Sequence, residues 1–164
     1  MKLEKENSYD KWWLSKDMEN MGYIFEFCNN YCLEMFNVDI DKLKFLNAFM
    51  KSNIRYEMET GHQRLLSQSG RDSVKMFINV DCDGNAEQFK KDKNSVKTNY
   101  AIDQFYWVGW MYAYLHYEED ILSRDLVDIL TLDDMLNRYY RCGHEMDVTV
   151  FHKHVKDAFK NSEK

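Results

Sequence analysis

No proline occurs in this chain and glycine appears only six times. The turn punctuation that a many-stranded β-sandwich needs is missing, so the composition leans helical. Long uncharged runs are missing too. The longest, Gln104–Tyr117, is too short to cross a bilayer as a helix and is loaded with tyrosine. Met1–Lys16 is dense in Lys and Glu and has no continuous apolar stretch of the kind a secretory signal requires. The expectation is a soluble, cytoplasmic protein. Its four cysteines, Cys28, Cys32, Cys82 and Cys142, are then expected to be reduced and to act as small buried hydrophobes. There is no nucleophile elbow, phosphate-binding glycine loop, dinucleotide fingerprint, zinc-protease helix motif or kinase signature. No catalytic residue, cofactor or metal is therefore assigned.

Aromatic residues, in contrast, are abundant and concentrated. Tyr100–Tyr117 holds eight of the chain's 25 aromatic side chains, and Asp103 is its one charged residue with histidine neutral. An element apolar nearly all round must be enclosed by the rest of the fold or by a partner. The 164 residues fit a single globular domain that removes roughly 70% of the unfolded surface from water. Periodicity supplies the other helices. Met21, Ile24, Phe25, Cys28, Cys32, Met35 and Phe36 share one helical face after a candidate cap at Asp17, and Trp12–Leu14 are expected to form a short helix or an arm, within residues 1–16, docked on that face. Asp41 opens a second helix that Gly61 ends.

Gly61–Asp72 is expected to be a loop with a helical turn at Leu65 and Leu66. Ser73–Asp81 fits strand alternation as well as helical spacing, and the lack of a second convincing strand favours helix. Asp81–Thr98 is expected to be a mobile polar loop. Ser123, Thr131 and Asp147 are placed to cap later helices, and Gly143 to stop one. The fold predicted is all-α, with six or seven helices around a central aromatic-rich helix at about residues 100–118.

The acidic excess sits in one stretch. Glu118–Asp147 carries nine acids against three arginines, a distribution that disfavours direct nucleic-acid binding. Lys90, Lys91, Lys93 and Lys97 form a basic run read as a solvated face. Cys142, His144, His152 and His154 have a spacing that matches no common zinc pattern. Arg55, His62 and Arg64 are the candidate ligand-binding residues, because guanidinium forks and an imidazole suit phosphate or carboxylate oxygens; the alternative is a helix end paired with nearby acids. Trp110, Tyr114 and Tyr117, with Glu118, Glu119 and Asp120 as a polar rim, are the candidate partner-binding residues. Gly109, inside the aromatic helix, points to a neighbouring backbone passing close by.

The stretches DKLKFLNAFMKSNIRYEMETGHQRLLSQ, DSVKMFINVD, FYWVGWMYAYLHYEEDILSRDLVDILTLDDMLNRYY and GHEMD, within Asp41–Phe151, resemble a group of small bacterial proteins encoded beside toxin-like ADP-ribosyltransferases. That resemblance implies a toxin–antitoxin or phage-defence setting and no particular catalytic residue. The expected function is a non-enzymatic module that binds a partner protein or a second copy of itself, in an antitoxin-like or defence-regulating role. The alternatives are a nucleotide- or ADP-ribose-binding protein using the Arg/His pocket, and a phage-encoded nuclease inhibitor whose acids imitate nucleic acid.

Overall fold

Two long apolar rows become two long helices, α1 (Leu14–Phe36) and α6 (Ile102–Glu119), and their close crossing organises the molecule. The computed structural model describes residues 9–95 and 100–162, and of residues 29–33, 161 and 162 the backbone alone. At the crossing, a Cβ built on Gly109 would lie 2.2 Å from the Met21 carbonyl oxygen and 2.8 Å from Cγ of Phe25. Only glycine lets the backbones meet there, as its position inside the helix predicted. Beside it, Phe25 and Tyr112 pack edge to face with ring centres 5.9 Å apart. α6 is covered on further sides as well. Trp107 meets Phe151 edge-on at 5.1 Å, and the Tyr112 hydroxyl donates to the Leu130 carbonyl.

The helix starts correct several expectations. A 3-10 turn, Lys11–Trp13, leads directly into α1, so Asp17 lies inside the first turns of the helix and does not cap it. The helix expected after Asp41 is two: α2 (Lys42–Met50) and α3 (Asn53–Glu59). Ser52 makes the break, its hydroxyl accepting from the Arg55 N–H at 3.1 Å, and Asp81 accepts from the Asn53 and Ile54 N–H groups at the same end. Gly61 ends this segment at φ 98°, as expected. The anticipated loop holds α4 (Gln63–Ser67) and then α5 (Gly70–Met76), capped by His62 and Ser69. Phe77–Asp81 continues α5 as a π-helical turn, so helix is the correct reading of that stretch.

The polar connection is held in place through Lys91. Phe89, in the turn Ala86–Phe89, sits 5.3 Å from Phe45. The Asp41 N–H donates to the Phe89 carbonyl at 2.7 Å, and the Lys91 N–H to the Asp39 carbonyl at 2.8 Å. Residues 96–99 of that segment, and with them Lys97, lie outside the described residues, as do residues 1–8 of the arm.

Beyond α6 come α7 (Ser123–Ile129), α8 (Leu132–Asp134), a π-helical turn Met135–Tyr139, α9 (Tyr140–Gly143) and α10 (Val148–Ser162). Thr131 caps α8 by accepting from the Asp134 N–H, and Asp147 caps α10 by accepting from the Thr149 N–H at 2.9 Å. Ser123 makes no such cap; its hydroxyl turns inward. Gly143 is the last residue of its helix and serves packing, since a Cβ there would lie 2.8 Å from the Phe151 and Trp107 rings. The fold is all-α, and the described residues contain no strand beyond one isolated bridge, Ile40 to Lys90. Among the described residues ten α-helices replace the predicted six or seven, because Ser52 splits one expected helix, a π-helical turn divides another and short capped pieces occupy a segment that read as a loop.

Candidate functional site

Arg55 was a ligand candidate by sequence, and the fold gives it a different task. It is 0% exposed, and its guanidinium grips Asp17 with both arms, Nη1 to Oδ1 at 2.7 Å and Nη2 to Oδ2 at 3.0 Å. Its Nε donates to the Ser123 hydroxyl at 3.0 Å, which in turn donates to Glu59. The Ser123 N–H also points at both Glu59 oxygens, at 3.0 and 3.1 Å. Tyr9 completes the set by donating its hydroxyl to Asp17 Oδ2 at 2.7 Å. His116 lies against the same carboxylate, Nδ1 being 3.3 Å from Glu59 Oε2 and 2.6 Å from the Ile121 carbonyl oxygen. A carbonyl only accepts, so Nδ1 carries the hydrogen.

Burial shapes the ionisation of this network. It works to push the Asp17 carboxyl up, but the charge and hydrogen bonds of Arg55 outweigh it and hold Asp17 below its ordinary value. For Arg55, burial opposes the charge, and the Asp17 and Glu59 carboxylates raise its pKa nonetheless. Burial first, then Asp17, keeps the Tyr9 hydroxyl protonated as a donor. The network joins the N-terminal arm, α1, α3, α6 and α7 around one desolvated charge cluster. His62 and Arg64 are not part of it. Both are exposed, and His62 uses Nδ1 to cap α4. Arg55, His62 and Arg64 therefore do not converge on one cavity, and an Arg/His pocket for a nucleotide or ADP-ribose has no support from their placement.

The partner candidates fare differently. Trp110 and Tyr114 come together in an open groove of about 470 Å³ between α1, α6 and the start of α10, with Leu14, Met18, Met146 and Val148 supplying apolar walls. Lys11, before α1, and Asp147, at the start of α10, are its charged lining residues. Thr149 hydrogen bonds, from its hydroxyl and its N–H, hold the Asp147 carboxyl below its ordinary value, so it is charged at neutral pH. Tyr114 is 7% exposed, with one edge toward the His152 ring, while Trp110 is half-buried. Tyr117 lies elsewhere, stacked on Tyr9 at 5.7 Å. Glu119 is taken by His152, Asp120 carries the left-handed turn after α6 at φ 51°, and Glu118 is exposed. The six residues expected to form one interface thus divide, and only Trp110 and Tyr114 line the groove. Composition could not show which edge of the aromatic helix stays open; Leu14 and Met18, in phase with each other at i, i+4, were the available signal.

The remaining candidates scatter. His144 stacks on Tyr140 at 4.5 Å, His154 faces the Tyr139 edge, and no group of metal-ligand residues gathers among the described residues. Cys28 is buried, with its thiol donating to the Phe25 carbonyl. Burial and then the Asp81 and Asp83 carboxylates push the Cys82 thiol up to about 11. Cys142 is exposed, which corrects its reading as a buried hydrophobe; the side chain of Cys32 is outside the described set.

No helix among the described residues is long and apolar enough to cross a membrane. Comparison with protein-family models, curated proteins and solved structures finds no match.

Proposed function

We propose that this chain is a non-enzymatic protein-binding module that holds an apolar anchor of a partner protein in the groove over Trp110 and Tyr114. The observation that carries the reading is the groove itself: a half-buried indole and a tyrosine, walled by aliphatic and methionine side chains and carrying one charge of each sign. Tryptophan and tyrosine in such a setting are the residues that dominate binding energy in protein interfaces, and methionine lets a groove adapt to its occupant. The antitoxin-like or defence-regulating role is proposed from the sequence alone, on the resemblance of stretches within Asp41–Phe151 to small bacterial proteins encoded beside ADP-ribosyltransferase-like toxins. The nuclease-inhibitor reading has less behind it. Four of the nine acids in Glu118–Asp147 already have neighbours within the fold, Glu119 in His152, Asp128 in Lys51, Asp133 in Asn137 and Asp147 in Thr149.

The test is co-purification at native levels of the wild type and of Trp110→Asp, with circular dichroism confirming the fold of the variant. Recovery of one stoichiometric protein with the wild type, lost with Trp110→Asp, is expected. Recovery that is equal for both removes the groove as the docking site.

A further inference from the structure

The largest exposed apolar group among the described residues stands within a helical turn of this groove. Trp12 is 70% exposed, its ring resting at 4.3 Å from that of Trp13. Its chain neighbour Lys11 lines the groove, as do Leu14 and Ser15 just beyond it. A protruding indole is costly to leave in water, and a groove of about 470 Å³ walled by Leu14, Met18, Trp110 and Val148 is large enough to take one. A two-fold interface uses the same patch on both subunits, so it requires a knob and a matching hole close together. This chain has both.

The charges agree with the same arrangement. Among the described residues no ion pair of Lys11 is seen, and Asp147 keeps its charge at the start of α10. If Trp12 of one copy enters the groove of another, Lys11 travels with it to the far copy's wall, where Asp147 stands. The contact repeats twice by symmetry, each lysine meeting an aspartate. We infer that a second copy of this chain occupies the groove, with Trp12 seated over Trp110 and Tyr114 and Lys11 paired with Asp147 across a two-fold axis. The inference rests on the groove being a docking surface, and it adds a regulation: the self-associated form covers the surface that the heterologous partner needs, so partner binding competes with dimerisation.

Sedimentation across about 5–500 µM, at low ionic strength where charge pairs are least screened, tests it. The wild type is expected to shift from monomer to dimer, and Trp12→Ala, a surface change that leaves the helices intact, to weaken the dimer at least about tenfold. Lys11→Glu sets two acids against each other and is expected to weaken it as well. Adding Asp147→Asn to Lys11→Glu removes the repulsion while keeping a side chain that caps α10 equally well, so association should recover. That recovery would not follow if Lys11→Glu acted by local unfolding. A wild type that stays monomeric throughout, or a dimer that ignores both Trp12→Ala and Lys11→Glu, overturns the inference. A monomeric wild type that still recovers a partner dependent on Trp110 leaves the docking reading standing and removes the second copy alone.

Discussion

Asp17 and Arg55 show how far a single residue's neighbours decide its role. Arg55 sits at i, i−4 to Glu59 and three residues before the buried Met58, while Asp17 is four residues before Met21 on the core face of α1. A charge in register with an apolar stripe signals a buried pair. Sequence proximity to His62 and Arg64 pointed instead to a ligand, because nothing in the chain reveals that Asp17, 38 residues away, supplies the counter-charge. Arg55→Met leaves two desolvated carboxylates near each other and is expected to cost about 3–5 kcal/mol in urea unfolding. The pH dependence follows from Asp17. Its folded pKa is depressed below the ordinary 3.8, so its contribution is fully present above that value and is lost as pH falls through the folded pKa. Melting temperature should drop more steeply below about pH 4 in the wild type than in Asp17→Asn, and equal slopes would mean that the carboxylate is not held by Arg55.

At the scale of elements, the sequence exposed helix identity better than helix ends. Apolar spacing identified α1, α2, α6 and α10, and capping chemistry placed the starts at Asp41, Thr131 and Asp147, because these depend on neighbours within a turn. Ser52 was missed because the apolar spacing continues across it, and Ser123 was misread because its hydroxyl answers a carboxylate on α3. The Gly109 argument held because a mid-helix glycine is unfavourable unless something needs the space. It also separates two glycines of the same crossing. At Gly109 the obstruction is the Met21 backbone, whereas at Gly22 it is the half-buried Tyr106 ring, 2.6 Å from a built Cβ. A ring can swing aside and a helix backbone cannot. Gly109→Ala is thus expected to lower stability by about 2–3 kcal/mol despite alanine's helix preference of about 1 kcal/mol, and Gly22→Ala to be milder. Thermal melts that rank the two in the opposite order would mean that α1 and α6 slide apart at little cost.

Across the whole molecule, the aromatic surplus is divided between core and surface, and two tryptophans of α6 mark the division. Trp107 faces inward at 8% exposure, edge-on to Phe151 and Tyr140 and touching the space that Gly143 leaves open. Trp110, three positions on, lines the groove and is half-buried. No property of either residue type distinguishes them in the sequence. The difference arises because α10 closes over one face of α6 and leaves the next uncovered, a tertiary fact set by where Asp147 starts that helix. Trp107→Ala removes a packed ring and should cost about 3–5 kcal/mol, a large part of the stability of a domain this size. Trp110→Ala gives up only partial burial and should cost about 1–2 kcal/mol while abolishing attachment to a partner or second copy. Urea unfolding followed by circular dichroism, run beside sedimentation on both variants, separates the two effects. Should Trp110→Ala destabilise the fold as much as Trp107→Ala and leave association unchanged, the groove ring belongs to the core and the docking surface must lie elsewhere on the molecule.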